Sequence, residues 1–272
     1  MTSGANEYGR KSRPVGALRA GFGFLTRLPT GDANEADWDA FRRSLWVFPA
    51  VGFVVGSLAA IPLAAVDAVP AVTVAFGYVV TIYLVTGIHH VDGVADLGDA
   101  VVVHGDGDRR RAVLKDTTTG VGALLAVSLV VVGLALGGLA LTIVPIAVAA
   151  TVVLAAEVGA KLSMAAIAAF ATASHEGTGS QFTRSGTHRS LAAATLVSLS
   201  AVLLLPILAP IGTTGVAVVG LLTLGGSLAG GAVPWMWARA RLGGVTGDVF
   251  GAANEIGRLV GIHLGVIAWT LS

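Results

Sequence analysis

Apolar residues in this chain fall into long, nearly uninterrupted blocks separated by short polar stretches. The blocks cover roughly 45–66, 71–90, 120–140, 142–171, 190–209, 211–236 and 259–271. A helix needs about 20 apolar residues to cross a bilayer, and most of these runs meet that length. The pattern predicts an all-α fold, a polytopic integral membrane helical bundle of about seven transmembrane helices. The short final block makes the expected range six to eight. Within 211–236, the run GGSLAGG (Gly225–Gly231) is small enough for close helix contacts. Residues 1–44 are polar and basic and read as a cytoplasmic N-terminal segment. Residues 45–272 read as a single transmembrane domain. No long apolar run precedes residue 45, so the start does not resemble a cleaved signal peptide.

Composition agrees with that pattern. Hydrophobic residues make up 54% of the chain and charged residues 12%, with mean hydropathy +0.81. A net charge of +1 offers no field for nucleic acid, which is not expected as a partner. There is no cysteine, which excludes thiol chemistry, disulfides and cysteine metal sites. Sixteen of the 17 Lys and Arg lie before residue 45 or within 91–119, 172–190 and 237–258. The intervening turns carry one charge, Asp67. Alternate loops therefore share one sign, and the positive-inside rule puts the basic loops and the N-terminus in the cytoplasm of a multi-pass cell-membrane protein.

The polar residues worth considering for chemistry gather in those same loops. GIHHVDGVADLGDA (Gly87–Ala100) places Asp92, Asp96 and Asp99 at i, i+4 and i+7, on one helical face. Three anions so close repel one another. A hard, oxygen-seeking cation such as Mg²⁺ would relieve the repulsion. HEGTGSQFTRSGTHR (His175–Arg189) and ARLGGVTGDVFGAANEIGR (Ala240–Arg258) form two further polar loops, and the three are expected to converge on one pocket. Asp248 and Glu255, at i and i+7, share a helical face. Arg109–Arg111 reads first as a topogenic or headgroup patch, and Asp106 with Asp108 as a solvated turn. Glu157 and Lys161, at i and i+4 within an apolar run, read as a pair neutralised inside the bundle or as a functional intramembrane site. On a continuous helix His89 lies near the acidic face and His90 nearly opposite, which favours His89.

These motifs resemble the cobalamin synthase family. TGIHHVDGVADLGDA is similar to its H-x-D-G-x-A-D-x-x-D signature, and FLTRLPT (Phe24–Thr30) to its F-x-T-R-L-P segment. KDTTTG (Lys115–Gly120) resembles its R-D-x-x-x-G loop and EGTG (Glu176–Gly179) its E-G-x-G turn. GGVTGDVFGAANE (Gly243–Glu255) resembles its C-terminal G-G-x-T-G-D-x-x-G-A-x-x-E block. The likeness runs from residue 22 to about 260. Lys115 stands where arginine is usual, and Arg258 stands where a second acid is expected. The signature histidine is His90, in conflict with the helical-face argument unless Gly87 or Gly93 breaks the helix.

The resemblance implies a Mg²⁺-dependent transferase with its active site at the cytoplasmic face. It would join adenosylcobinamide-GDP to α-ribazole or its 5′-phosphate, giving adenosylcobalamin or its phosphate and GMP. Asp92, Asp96 and Asp99 are the implied metal ligands, and Asp92, Asp96, His90 and Asp248 the catalytic set. Lys115, Asp116, Gly120, Glu176, Gly177, Gly247 and Glu255 are the implied substrate contacts, and a carboxylate or His90 would take the hydroxyl proton. CDP-alcohol phosphotransferases and UbiA-like prenyltransferases are the neighbouring alternatives. A cation transporter is a different class, and it would need ionisable groups near the bilayer midplane, where only Glu157 and Lys161 fall.

Overall fold

A computed structural model of the protein describes residues 13–204 and 213–272. Arg10, Lys11 and the junction of the fifth and sixth apolar blocks, 205–212, lie outside the described residues. The chain forms α1 (Arg13–Leu25), α2 (Glu35–Arg43), α3 (Val47–Ala59), a 3₁₀ turn (Ile61–Ala65), α4 (Ala71–Thr86) and α5 (His89–Val102). It continues through α6 (Gly107–Val113), α7 (Val121–Leu141), α8 (Ile146–Phe170), α9 (Thr178–Ser185), α10 (His188–Leu204), α11 (Thr213–Arg241) and α12 (Gly247–Thr270). Among the described residues there is no strand, only an isolated bridge between Ala173 and Val245.

Four helical segments are long and apolar enough to cross a membrane: Val47–Ala65, Val121–Leu141, Ile146–Phe170 and Thr214–Arg241. Two bent pairs, α4 with α5 (97°) and α9 with α10 (96°), raise the number to six when each pair is taken as one span. The final apolar block is not a short helix of its own. It is the outer half of α12, whose inner half carries Asp248, Glu255 and Arg258, and those charges keep α12 out of the hydropathy count.

Helix α8 is the axis of the bundle. It is buried on every side, as a helix enclosed by protein is, with Glu157 and Lys161 its only charged residues, and α3, α10, α11 and α12 pack around it. Small residues set the spacing. A Cβ on Gly231 would lie 2.5 Å from the Ser163 side chain, and one on Gly257 2.8 Å from the Ser227 carbonyl. Ser227 Oγ donates to the Ala156 carbonyl across the α8–α11 contact (3.3 Å). The GGSLAGG run thus makes the close packing expected of it, apart from Gly225, which faces open space.

The polar loops meet at one end of the bundle. Arg111 Nη1 donates to the Leu242 carbonyl (2.6 Å). Val245 N–H donates to Thr172 O (2.9 Å) and Ser174 N–H to Val245 O (3.0 Å). The N-terminal segment joins them. A capping box of Asn34 and Asp37 starts α2, and α1 and α2 bury Leu25 and Phe41 completely. Phe41 meets Phe48 of α3 and Phe182 of α9, both at 5.2 Å between ring centroids. Residues 13–43 therefore share the bundle's core.

Candidate active site

The break between α4 and α5 is the local event that builds the site. Gly87 has φ +70° and ψ −160°, a conformation open in practice to glycine alone. Its N–H still closes the last turn of α4 by donating to Tyr83 O (2.9 Å), after which the chain turns 97° and restarts at His89. The Asp92, Asp96 and Asp99 face then lies along the bundle's polar end. The break also resolves the histidine conflict: His89 is exposed, whereas His90 is turned inward and is 6% exposed.

Asp92, Asp96 and Asp99 line one cleft with Lys115, Asp116 and Thr117–Thr119 of the α6–α7 loop. The three carboxylates differ in state. Asp92 is exposed and Asp96 half-buried. Asp99 is committed: its oxygens accept from Gly120 N–H (2.7 Å) and Ala123 N–H (2.9 Å). It caps the start of α7 from a neighbouring helix, satisfying donors that a helix N-terminus leaves orphaned. Gly120 is needed there because a Cβ would sit 2.5 Å from Asp99 Oδ1. Asp116 accepts from Thr118 N–H (3.0 Å), which holds its carboxyl below the usual range.

Helix α12 lies against α5 so closely that Gly93 has no room for a side chain, its Cβ position being 2.5 Å from Asp248 O. Asp248, in the first turn of α12, accepts from Thr246 Oγ1 (3.0 Å) and is a charged neighbour of both Asp92 and Asp96. It also lines a second cleft of about 350 Å³ with Phe24, Trp38, His89, His90, Thr178 and Gly247. A third recess holds His175, Glu176, Ser180 and Arg184. Glu176 pairs with Arg184 there, which lowers its carboxyl pKa. Gly177 opens α9 with its N–H donating to Ser180 Oγ (3.0 Å). The expected single pocket is thus divided into three recesses, two of them lined by α5 and the third by α9 and the segment before it.

Two turns into α12 the chemistry changes from accessible to sealed. Glu255 is fully buried. It accepts from Arg258 Nη1 (2.7 Å), Asn254 Nδ2 (3.1 Å) and Tyr83 Oη (3.3 Å). Glu255, expected to contact substrate, thus lies beneath the clefts: sharing a helical face with Asp248 does not put both in a cleft, because the deeper turn runs between α5 and α8. Arg258 also pairs with Glu157, and Lys161 Nζ lies 3.6 Å from the same carboxylate. Two acids and two bases balance, so the Glu157–Lys161 pair is neutralised within the bundle. Arg258, which departs from the expected acid, is the base that balances Glu255.

This network fixes His90. Lys161 Nζ donates to Asn254 Oδ1 (2.6 Å), and an ammonium only donates. The Asn254 amide is thereby oriented with Nδ2 toward His90 Nδ1 (3.2 Å). His90 Nδ1 must accept, so the neutral ring carries its proton on Nε2. Among the described residues Nε2 has no hydrogen-bond partner, yet it is not enclosed. Tyr78 Oη is the only buried, unpartnered side-chain polar atom among the described residues, so His90 Nε2 opens onto the second cleft. His90 is a donor there and not a ready base.

The expected Mg²⁺ ligands do not form a finished cage. Among the described residues no three acids or histidines converge closely enough to hold an ion alone. Two free carboxylates, Asp92 and Asp96, are nevertheless the donor set that Mg²⁺ takes when substrate phosphates supply the remaining oxygens. The basic patch has structural duties: Arg110 sits 6.0 Å over the Trp237 ring, and Arg111 holds Leu242 O and Asp108. Asp106 caps α6 through Arg109 N–H (3.0 Å). Sequence reasoning missed Phe24, Trp38 and Thr178 as cleft residues. Phe24, inside FLTRLPT, and Thr178, inside EGTG, lay within motifs, whereas Trp38 carried no sequence signal.

Residues 17–266 match the family described as Cobalamin-5-phosphate synthase. The chain belongs to this family. It is 46% identical over 263 residues to the adenosylcobinamide-GDP ribazoletransferase of Halorubrum lacusprofundi, covering 93% of this chain and 98% of that protein. The protein of the same name from Haloquadratum walsbyi is 41% identical over 260 residues, covering 94% and 99%. That of Halobacterium salinarum is 51% identical over 204 residues, covering 75% and 98%. No solved structure matches the chain. The match to the family takes in every recess described above.

Proposed function

We propose that the protein joins adenosylcobinamide-GDP to α-ribazole or α-ribazole 5′-phosphate, forming adenosylcobalamin or its 5′-phosphate and releasing GMP. The observation that carries this reading is 46% identity across 98% of a relative bearing that activity in its name. A ribazole hydroxyl oxygen forms the new bond to the cobinamide-linked phosphorus. The bond from that phosphorus to the bridging oxygen breaks, and GMP leaves with the electron pair. Crowded phosphate charge sets the barrier, so positioning and electrostatic stabilisation do most of the catalysis. Asp92 and Asp96 would hold Mg²⁺ against the diphosphate, and when bound the ion would neutralise its charge. Lys115, beside them in the cleft, adds a positive charge for the same oxygens. Asp248 lines the second cleft and is a charged neighbour of Asp92 and Asp96, which suits it to take the hydroxyl proton. His90 Nε2–H is a donor for a phosphate oxygen or a ribose hydroxyl. Asp99 supports this arrangement by fixing α7 against α5.

The same reading makes this a multi-pass cell-membrane protein with its N-terminus and recesses on the cytoplasmic side, supported by the gathering of basic loops at one end. Transport through Glu157 and Lys161 is disfavoured, because Arg258 and Glu255 complete a closed, charge-balanced cluster. Purified protein in detergent with Mg²⁺ is expected to release GMP from adenosylcobinamide-GDP only when α-ribazole or its phosphate is present. Chelation by EDTA should stop the release, and Asp92→Asn should abolish it without affecting membrane insertion. Folded protein that releases no GMP refutes the proposed activity, and an Asp92→Asn variant with near-wild-type turnover refutes the metal role.

A further inference from the structure

We propose that the second cleft is the seat of the planar heteroaromatic base of the incoming nucleoside, with Trp38 and Phe24 as its stacking wall. The inference rests on the transferase reading above and assigns one of its two substrates a place. Six helices line the cleft, and its aromatic rings are in register with one another. Phe24 meets Trp38 edge-on at 5.9 Å and 84°, and Phe182 at 5.5 Å. Phe182 continues the layer to Phe250 at 6.1 Å. Phe182 and Phe250 are buried, whereas Phe24 and Trp38 are half-buried and keep ring surface toward the opening. Within this wall the Trp38 indole offers a flat face on which a base can stack, and Phe24, edge-on to it, closes the apolar corner.

Charge separates this cleft from its neighbour. Among the described residues no lysine or arginine lines it, so these offer nothing to offset a diphosphate. Lys115 and the paired carboxylates are all in the acidic cleft. The polar groups that the second cleft does hold are His89, His90 Nε2–H, Thr178 and Asp248. Those are hydrogen-bonding partners for ring nitrogens and ribose hydroxyls. Asp248 lines this cleft and is a charged neighbour of Asp92 and Asp96, so a nucleoside seated here would bring its hydroxyl toward the carboxylates proposed to face the diphosphate. The guanosine of the other substrate is also a planar base, but it is tied to the diphosphate and leaves with it. The lack of basic lining residues therefore favours the base of the incoming nucleoside, any 5′-phosphate of which would lie outside this cleft.

Trp38 comes from α2, in the N-terminal segment that the sequence pattern leaves without a role. The first turn of that helix is held by the Asn34 capping box and the Arg19–Asp37 pair (3.2 Å), and its second half by buried Phe41 against Phe48 and Phe182. The wall is therefore built before substrate arrives.

The test is a kinetic comparison in detergent-solubilised full-length protein. Trp38→Ala should raise KM for α-ribazole about tenfold or more, with KM for adenosylcobinamide-GDP within twofold of wild type. Trp38→Phe should restore most of the loss, because a phenyl ring still stacks. A rise confined to adenosylcobinamide-GDP would overturn the proposal and give the cleft to guanosine, and an unchanged KM for both would also overturn it. If Trp38→Ala does not fold, Trp38→Phe carries the test by fluorescence. α-Ribazole should quench the wild-type emission, and the variant should lose that quench while remaining active. Quenching equal in the two proteins would place the base elsewhere. Failure of the transferase reading itself would be distinct, since wild-type protein would then release no GMP at all.

Discussion

Gly93→Ala is the sharpest probe of the α5–α12 contact. The added Cβ would lie 2.5 Å from Asp248 O, 3.0 Å from its Cα and 3.1 Å from its carbonyl carbon. All three are backbone atoms, so no rotamer change relieves the clash. Ordinary contact begins near 3.4 Å, and the two helices must separate by about 1 Å. The substitution adds an overpacking cost of about 1–3 kcal/mol. Replacing glycine by alanine within a helix recovers about 1 kcal/mol of that. Net stability should therefore fall only modestly. Catalysis should suffer more, because Asp92 and Asp96 ride on α5 and Asp248 on α12. A displacement of about 1 Å at reacting groups costs on the order of 10²-fold in rate. The assay is steady-state GMP release alongside a thermal melt, with Gly225→Ala, which meets nothing within 4 Å, as the neutral control. A Gly93→Ala protein that keeps more than half of wild-type turnover would refute the claim that this contact sets the site's geometry.

Asp99→Asn removes one of two acceptors and leaves an amide NH₂ facing a backbone N–H, so α7 should fray at its start. We expect a stability loss of about 1.5–3 kcal/mol, read as a lower melting temperature and faster proteolysis at 115–120. An Asp99→Asn protein of unchanged stability that is simply inactive would mean the residue acts through metal alone. Glu157→Gln leaves Arg258 and Lys161 with one buried carboxylate between them, and should cost about 3–5 kcal/mol. A melt within a degree of wild type would show that the cluster is not the closed ion network described. Glu176 has its pKa lowered by Arg184, so its contribution to the α9 turn is complete above its unfolded value. It is lost as pH falls through the lower, folded value. Arg184→Ala should return the Glu176 titration to the ordinary range in carboxyl-labelled NMR, with little change in melting because the pair is exposed. An unshifted titration would show that Arg184 is not the cause.

Hydropathy alone determined that the chain is an all-helical membrane protein, because a bilayer imposes one length and one composition on whatever crosses it. Spacing alone put Asp92, Asp96 and Asp99 on one face, since helical periodicity is local. The motifs also marked the right segments for the recesses. What a one-dimensional pattern does not hold is the direction a helix takes after a break. Gly87 turns α5 by 97° and reverses the parts of His89 and His90. Nor does it hold depth: Asp248 and Glu255 share a face, but one meets a cleft and the other is sealed against Arg258. The cap that Asp99 provides to α7, the relay from Lys161 through Asn254 to His90, and the aromatic wall that α2 brings to the site all join residues far apart in the chain. Only tertiary packing decides which of them meet.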